Sequence, residues 1–122
     1  MSSRAVAALC LALLSTPPAF AQDSVAGSGL FAEQCANCHS VTKGDNGTGP
    51  ALAGVAGKPA GEVAGFSYSP AMKSSGKLWD DATLNLYLTN PKRAVPGTKM
   101  ALGGIADPDD RANLIAYLKT LH

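Results

Sequence analysis

Residues 35–39 read Cys-Ala-Asn-Cys-His, so two thiols three positions apart are followed at once by an imidazole. A Cys-x-x-Cys pair can be a redox disulfide, half of a zinc site or an anchor for haem. A structural zinc site takes four ligands, and the only other Cys or His residues are Cys10 and the terminal His122. A redox pair follows a β-strand, and no strand-like run precedes Cys35. Haem attachment also gives His39 a role, so the stretch predicts covalently bound haem c.

The first 21 residues have the three parts of a secretory signal peptide. Arg4 supplies the positive charge, residues 6–14 form an apolar run, and residues 19–21 read Ala-Phe-Ala, a small-x-small cleavage site. The apolar run is shorter than the about 20 residues that a membrane-spanning helix needs. We therefore predict that residues 1–21 are cleaved after export, and that residues 22–122 form the functional domain in the periplasm.

The composition of residues 22–122 limits the partners of this domain. Without Arg4, the 10 Lys and Arg residues of the chain become nine, equal to the 9 Asp and Glu residues. A net charge of zero gives no global attraction to nucleic acid, so no nucleic-acid partner is expected. No apolar stretch is long enough to span a membrane. A single domain this small builds a core with difficulty unless a buried cofactor adds apolar surface.

Helix signals alternate with long loops that are rich in Gly and Pro. The clearest signal is at the last helix, where Asp107 is a suitable N-cap and Pro108 occupies the first helical position. Helices are predicted over residues 23–37, over 80–90 and from 107 onward, with a short one over 70–75; loops are predicted over 42–65 and 92–105. No strand is predicted. We expect an all-α domain, with a few helices joined by long loops that are wrapped around one haem.

The second axial ligand of the iron is expected to be a Met or His side chain, as is usual in electron carriers. The candidates are Met72, Met100 and His122. Met100 is favoured because Pro96 stiffens its loop, and a thioether is a weak ligand that cannot bear a large ordering cost. Met72 lies in a predicted helix, where Met is more often a core residue, and His122 ends the chain. Both remain alternatives at this point.

Several further segments resemble the class I cytochromes c, and specifically the small soluble carriers that mitochondria and many bacteria share. The resemblance covers nearly all of residues 25–121. Besides the Cys-x-x-Cys-His motif, it is carried by Gly49-Pro50, by residues 65–69 (Gly-Phe-Ser-Tyr-Ser), by Trp79, by Tyr87-Leu88 and Asn90-Pro91-Lys92, by residues 96–100 (Pro-Gly-Thr-Lys-Met), and by residues 110–118.

The resemblance implies a role for each of these residues. Cys35 and Cys38 are the thioether anchors, His39 is the proximal ligand, and Met100 is the distal one. Pro50 is expected beside the haem, where its carbonyl accepts a hydrogen bond from the ligating imidazole. Tyr68 and Trp79 are expected to hydrogen-bond a propionate. Tyr87 is expected near the Met sulfur, and Thr98 is expected to fix the ligand loop. Gly27 and Phe31 are expected to pack on Leu114 and Tyr117.

Two residues depart from the mitochondrial pattern. Lys58 stands where mitochondrial relatives carry an Arg near the propionates, and Lys offers a single charged point rather than a planar fork. Met72 stands where they carry an Asn near the distal pocket. This second substitution removes polar partners and should make the Met100 side of the haem drier.

The implied function is that of a monomeric electron carrier, not an enzyme. The expected donor is a quinol-oxidising complex, and the expected acceptor is a terminal oxidase or reductase. Docking at the exposed haem edge is expected to use a basic rim formed by Lys43, Lys73, Lys77, Lys92, Arg93 and Lys99. Two enzyme alternatives stay open from the sequence. One is a peroxidase-like activity if Met100 dissociates readily, and the other is thiol–disulfide exchange by Cys35 and Cys38.

Overall fold

A computed structural model describes residues 22–122, and the predicted signal peptide over residues 1–21 lies outside these described residues. The five helices are α1 (Ser24–Gln34), α2 (Pro70–Lys73), α3 (Asp81–Thr89), α4 (Pro91–Ala94) and α5 (Pro108–Leu118). Within residues 22–122 the β-structure consists of one isolated antiparallel bridge between Pro59 and Leu78. The all-α prediction is therefore confirmed. None of the described helices combines the length and apolar character required to cross a membrane.

The close crossing of α1 and α5 brings the two ends of the domain together. Gly27 of α1 lies against the backbone carbonyl of Asn113, and a Cβ atom on Gly27 would be 2.9 Å from the Cβ of Tyr117. One turn further along, the rings of Phe31 and Tyr117 pack with centroids 5.5 Å apart. The absence of a side chain at Gly27 is thus what lets the two helices approach. The expected packing of Gly27 and Phe31 on α5 is confirmed.

Each long helix begins at an aspartate that caps it. The Asp23 carboxylate accepts hydrogen bonds from the amides of Val25 and Ala26. Asp80 does the same for α3 and Asp107 for α5. Capping aspartates satisfy amides that have no partner inside the helix, and their charge is favourable at the N-terminus. These three starts were predicted correctly.

Two predicted boundaries were wrong. The first helix was expected to reach residue 37, but α1 ends at Gln34. The amides of Cys35 and Ala36 both donate to the carbonyl of Phe31, which closes the helix in a tight turn. Helix α3 ends before Pro91 as expected, but the loop predicted from residue 92 was wrong at its start, because Pro91–Ala94 form α4, which Asn90 caps. Proline is well accepted there because the first amides of a helix need no partner within it.

The helices surround one apolar core to which the loops are tied. The most deeply buried members, between 1 and 6% exposed, include Phe31, Leu84, Tyr87, Leu88, Leu114, Ile115 and Leu118. The long loop after the Cys-x-x-Cys-His motif is held across its width by Asn46. This side chain donates to the carbonyl of Ala64 and accepts from the amide of Ala51, at 3.0 and 2.9 Å. The core and the loops leave one deep cleft between them.

Candidate functional site

The cleft has a volume of ≈ 230 Å³ and is lined mainly by apolar side chains. Its walls come from the turn after α1, the loop before α2, helices α2, α3 and α5, and the loop after α4. Residues on the walls include Cys35, Cys38, His39, Pro50, Tyr68, Met72, Trp79, Tyr87, Thr98 and Met100. The structure therefore brings every predicted anchor, ligand and haem-environment residue to one cleft. A cleft with apolar walls and a few polar groups suits an apolar ligand.

The Cys-x-x-Cys-His motif forms a compact turn on the wall of this cleft. The amides of Cys38 and His39 both donate to the carbonyl of Cys35, each at 3.0 Å. Cys35 is buried and Cys38 is exposed. The turn presents both thiols and the imidazole to the same cleft, which is the donor set that covalent haem attachment needs.

The Cys35 thiol lacks the properties of a redox catalyst. Burial raises its pKa to about 11, and the neighbouring Cys38 adds to this rise. Thiol–disulfide exchange proceeds through a thiolate, and cysteines that catalyse it have lowered pKa values. The environment of Cys35 therefore counts against the thiol–disulfide alternative.

The ring of His39 is held in one tautomer and one orientation. Its Nδ1 atom lies 2.7 Å from the carbonyl oxygen of Pro50. Because a carbonyl can only accept, Nδ1 carries the proton and donates it, which leaves the lone pair of Nε2 free to ligate a metal. The amide of Gly49 donates to the carbonyl of Cys38 at 2.8 Å and so fixes this segment beside the motif.

Gly49 lies directly against the imidazole. A Cβ atom there would be 2.7 Å from Nδ1 and 2.9 Å from Nε2 of His39, which is closer than real Cβ contacts come. The position therefore requires glycine, because any side chain would displace the ring. The motif, the Pro50 carbonyl and the bare backbone at Gly49 together fit a haem ligated by His39.

The loop that carries Met100 is fixed to α3 by a pair of hydroxyl groups. The hydroxyls of Tyr87 and Thr98 lie 2.7 Å apart, and the amide of Met100 donates to the Thr98 hydroxyl at 3.3 Å. Burial raises the pKa of Tyr87, so its phenol keeps its proton at neutral pH. Met100 is half-buried and lines the same cleft as His39.

The two alternative ligands differ in position. Met72 lines the cleft and is only 7% exposed, so it is a second thioether beside Met100. Its helix contacts the ligand loop, where a Cβ atom on Gly97 would be 3.0 Å from the Cβ of Ala71. His122 is exposed and is not part of the cleft wall.

Tyr68 and Trp79 lie on the wall of the cleft. The Tyr68 hydroxyl accepts a hydrogen bond from the amide of Val63 at 3.1 Å, and burial raises the pKa of this phenol. Its proton is therefore still available to a further acceptor. Trp79 is buried, and its ring packs against that of Tyr87 with centroids 5.0 Å apart. The hydrogen bonds of Tyr68 and Trp79 to a propionate stay predictions.

The residues of the predicted basic rim are solvent-accessible but not equally close to the cleft. Lys43, Lys73, Lys92, Arg93 and Lys99 are exposed, and Lys77 is half-buried. Of these six described residues, Lys99 alone lines the cleft. Its ammonium group donates to the carbonyl of Ser67 at 3.0 Å and so joins the ligand loop to the opposite wall.

Sequence reasoning missed two residues that shape the site. Asn46 gave no signal, because a single Asn in a loop with many glycines is common. Arg111 did carry one signal, since it lies at the start of α5, where a positive charge is unfavourable for the helix dipole. Its guanidinium instead donates to the side chain of Asn85 and to the backbone of the segment after Met100.

Comparisons with known proteins agree with this geometry. The sequence model of the family described as cytochrome c matches residues 24–122. A cytochrome c of Euglena viridis is 50% identical over 99 residues, which are 81% of this chain and 97% of that protein. A cytochrome c2 of Rhodomicrobium vannielii is 46% identical over 124 residues and covers 100% of this chain and 98% of its own. The solved structure of cytochrome cH from Methylobacterium extorquens superposes with a TM-score of 0.75 at 48% identity, over 80% of this chain and 98% of that one.

An all-α domain whose thiols, imidazole and thioether line one apolar cleft defines a haem-binding electron-transfer protein. The chain belongs to the cytochrome c family. Members of this family bind haem c covalently, with its iron, and are electron carriers rather than enzymes. The peroxidase-like and thiol–disulfide alternatives are therefore set aside.

Proposed function

We propose that this chain is a periplasmic carrier that shuttles one electron at a time between membrane redox complexes. Haem c is attached to Cys35 and Cys38, and its iron is ligated by His39 and Met100. The bound haem supplies the one-electron exchange. One observation carries the proposal: His39 and Met100 line the same cleft, and each is fixed by its own hydrogen-bonded segment. His39 and Met100 would together hold the iron, which would leave no position on it for a substrate.

The protein keeps the two ligands in place by different means. The Pro50 carbonyl orients the imidazole of His39 from behind, and the hydroxyls of Tyr87 and Thr98 fix the loop that carries Met100. A site held in one geometry needs little rearrangement when an electron arrives or leaves. The apolar walls also disfavour the additional charge of the oxidised state. The fixed geometry therefore favours fast electron transfer, and the apolar walls favour a relatively high reduction potential.

We further propose that residues 1–21 are a cleaved signal peptide and that residues 22–122 act in the periplasm. The family match supports this proposal, since it covers residues 24–122 and leaves the N-terminal segment out. The test is the intact mass of the protein recovered from the periplasm of a bacterial host that matures c-type cytochromes. A mass equal to residues 22–122 plus one haem is expected. An uncleaved chain, or a chain without haem after such maturation, would contradict the proposal.

The proposed partners are a quinol-oxidising complex as donor and a terminal oxidase or reductase as acceptor, with a monomeric carrier between them. Docking is proposed on the side of the cleft that Lys99 lines. The other residues of the basic rim belong to segments that flank the residues of the cleft wall. Attraction between a basic rim and an acidic partner speeds encounter at low ionic strength. The electron-transfer rate with a purified oxidase should therefore fall as salt is added.

A pair of charge reversals tests this docking surface. Lys73→Glu removes a positive charge from the proposed rim. Lys119→Glu makes the same change in charge on an exposed lysine that pairs with Asp81 at 3.1 Å and is not part of the rim. A larger loss of rate at low salt for Lys73→Glu supports the proposed surface. Equal losses for the two variants would reject it.

A further inference from the structure

Arg111 of α5 joins two parts of the protein through a single guanidinium group. Its Nε atom donates to the side-chain oxygen of Asn85 on α3 at 2.8 Å. Its Nη1 atom donates to the carbonyls of Ile105 and Ala106 at 2.8 and 2.9 Å. These carbonyls belong to the segment that runs from Met100 to the start of α5. Arg111 therefore contacts α3 and the continuation of the ligand loop at the same time.

The same segment is fixed to the end of α3 by its own backbone. The amide of Ile105 donates to the carbonyl of Leu88 at 2.8 Å, and the Ile105 side chain is 7% exposed. Gly104 has a φ of +120° and packs against the carbonyl of Thr89, a backbone conformation and a close approach that favour glycine. Residues 105 and 106 are thus a second point of attachment for the ligand loop.

Between the two attachments the chain is supported by side chains alone, through the hydrogen bond from Lys99 to the Ser67 carbonyl and the hydrogen bond from the Met100 amide to the Thr98 hydroxyl. Among the described residues, no backbone–backbone hydrogen bond involves residues 99–104. Met100 therefore lies on a short span with Thr98 at one end, fixed by Tyr87, and Ile105 at the other, fixed by Leu88 and Arg111. Release of either end would give Met100 more conformations, and a weak thioether ligand would then have to overcome a larger ordering cost.

We propose that Arg111 is a positioning residue for Met100, and that its hydrogen bonds to the Ile105 and Ala106 carbonyls make the thioether harder for an added ligand to displace from the haem iron. This inference rests on the proposed ligation by Met100. The competing interpretation is that Arg111 only joins α5 to α3. The chain provides a matched control for that interpretation, because Lys119, the residue that follows α5, also bridges to α3, through Asp81, without touching the ligand loop.

The test measures how easily added imidazole displaces Met100 in the ferric, haem-loaded protein. The variants are Arg111→Met, which removes the donors but keeps a long side chain, and Lys119→Met as the control. Displacement is followed as loss of the far-red absorption band of Met-ligated ferric haem. Because hydrogen bonds from a charged donor are strong, Arg111→Met is expected to bind imidazole at least about tenfold more tightly than the wild type. Lys119→Met should bind it as the wild type does.

Two further variants separate the loop contacts from the α3 contact. Asn85→Ala removes the partner on α3 and leaves both loop carbonyls bonded to Arg111, so imidazole affinity should rise by less than in Arg111→Met. Arg111→Lys keeps one charged donor and should lie between the wild type and Arg111→Met. These two variants also keep the test decisive if Arg111→Met does not fold. In that case Arg111→Lys must still bind imidazole more tightly than Lys119→Met does.

Several results would overturn the inference. One is an imidazole affinity of Arg111→Met equal to that of the wild type. Another is a rise in the imidazole affinity of Lys119→Met equal to that of Arg111→Met. For this comparison, each variant is measured at the urea concentration that gives both the same fraction of folded protein. Failure of the underlying ligation looks different. The wild type would then lack the far-red band, and Met100→Ala would leave the ferric spectrum unchanged.

Discussion

The Nδ1 atom of His39 lies 2.7 Å from the carbonyl oxygen of Pro50. This hydrogen bond turns a histidine that follows two cysteines into an oriented ligand, because it fixes both the tautomer and the plane of the ring. A second hydrogen bond ties the long loop to the motif, because the amide of the preceding Gly49 donates to the carbonyl of Cys38. The site is therefore built by two segments that each restrict the other.

The first prediction concerns the contact between Gly49 and the imidazole. Gly49→Ala would place a Cβ atom 2.7 Å from Nδ1 of His39, so the ring must turn away and lose its bond to Pro50. We expect less haem-loaded protein and a weakened far-red ferric band. The control is Gly47→Ala, whose Cβ atom would be 3.4 Å from the carbonyl of Cys38. The prediction fails if both variants load haem to the same extent.

The second prediction concerns the crossing of α1 and α5. Gly27→Ala would drive a methyl group into the Asn113 carbonyl and should destabilise the protein by about 1–3 kcal/mol, as overpacking typically does. Gly29→Ala, in the same helix, would meet nothing within 4 Å. Because alanine favours helix, Gly29→Ala should stabilise the protein by up to about 1 kcal/mol. Urea unfolding measures both changes, and equal effects in the two variants would be inconsistent with a steric crossing.

The third prediction concerns Met72, the apolar residue in the cleft beside the ligand loop. Met72→Asn introduces a polar amide that stabilises the more positive oxidised state, so the reduction potential should fall. A drop of about 20–60 mV is expected, which corresponds to roughly 0.5–1.4 kcal/mol for one electron. Voltammetry measures it, with Met72→Leu as the control that keeps the apolar wall. An unchanged potential in Met72→Asn would reject a tuning role for Met72.

The fourth prediction concerns stability in acid. The Asp80 carboxylate caps α3 by accepting from the Thr83 amide at 2.8 Å, and this hydrogen bond holds the pKa of Asp80 below its usual value. A carboxylate with a lowered folded-state pKa adds stability above its unfolded pKa of about 3.9 and loses it as the pH falls further. The melting temperature of Asp80→Asn should therefore fall less between pH 7 and pH 3 than that of the wild type. Parallel pH profiles would show that the cap is not linked to protonation.

Local signals in the sequence were enough to predict much of the fold. The Asp107–Pro108 start of α5 follows from the chemistry of two residues, and the packing of Gly27 at the α1–α5 crossing was expected from the family resemblance. The start of α4 at Pro91 could not be predicted as readily. The same proline that ends one helix is suited to begin the next, and only the side chain of Asn90, which caps α4, decides between the two outcomes.

The parts of the site that escaped prediction depend on residues that are distant in sequence. Asn46 fixes its loop by joining Ala51 to Ala64, and Arg111 acts on Ile105 and on Asn85 of another helix. Their partners are set by the tertiary fold, so residue type and spacing alone do not reveal them. The motif gave the anchors and one ligand, and the family resemblance gave Thr98 as a support of the Met100 loop, whereas the support by Arg111 became visible only in the folded chain.

The central claim is that His39 and Met100 close the haem iron on both sides. The most direct measurement is the absorption spectrum of the purified protein in both oxidation states, recorded for the wild type, Met100→Ala and Met72→Leu. We expect the haem to stay with the chain when the protein is unfolded. We also expect a far-red ferric band in the wild type and in Met72→Leu, and no such band in Met100→Ala. A high-spin ferric spectrum in the wild type, or a far-red band that survives in Met100→Ala, would contradict it.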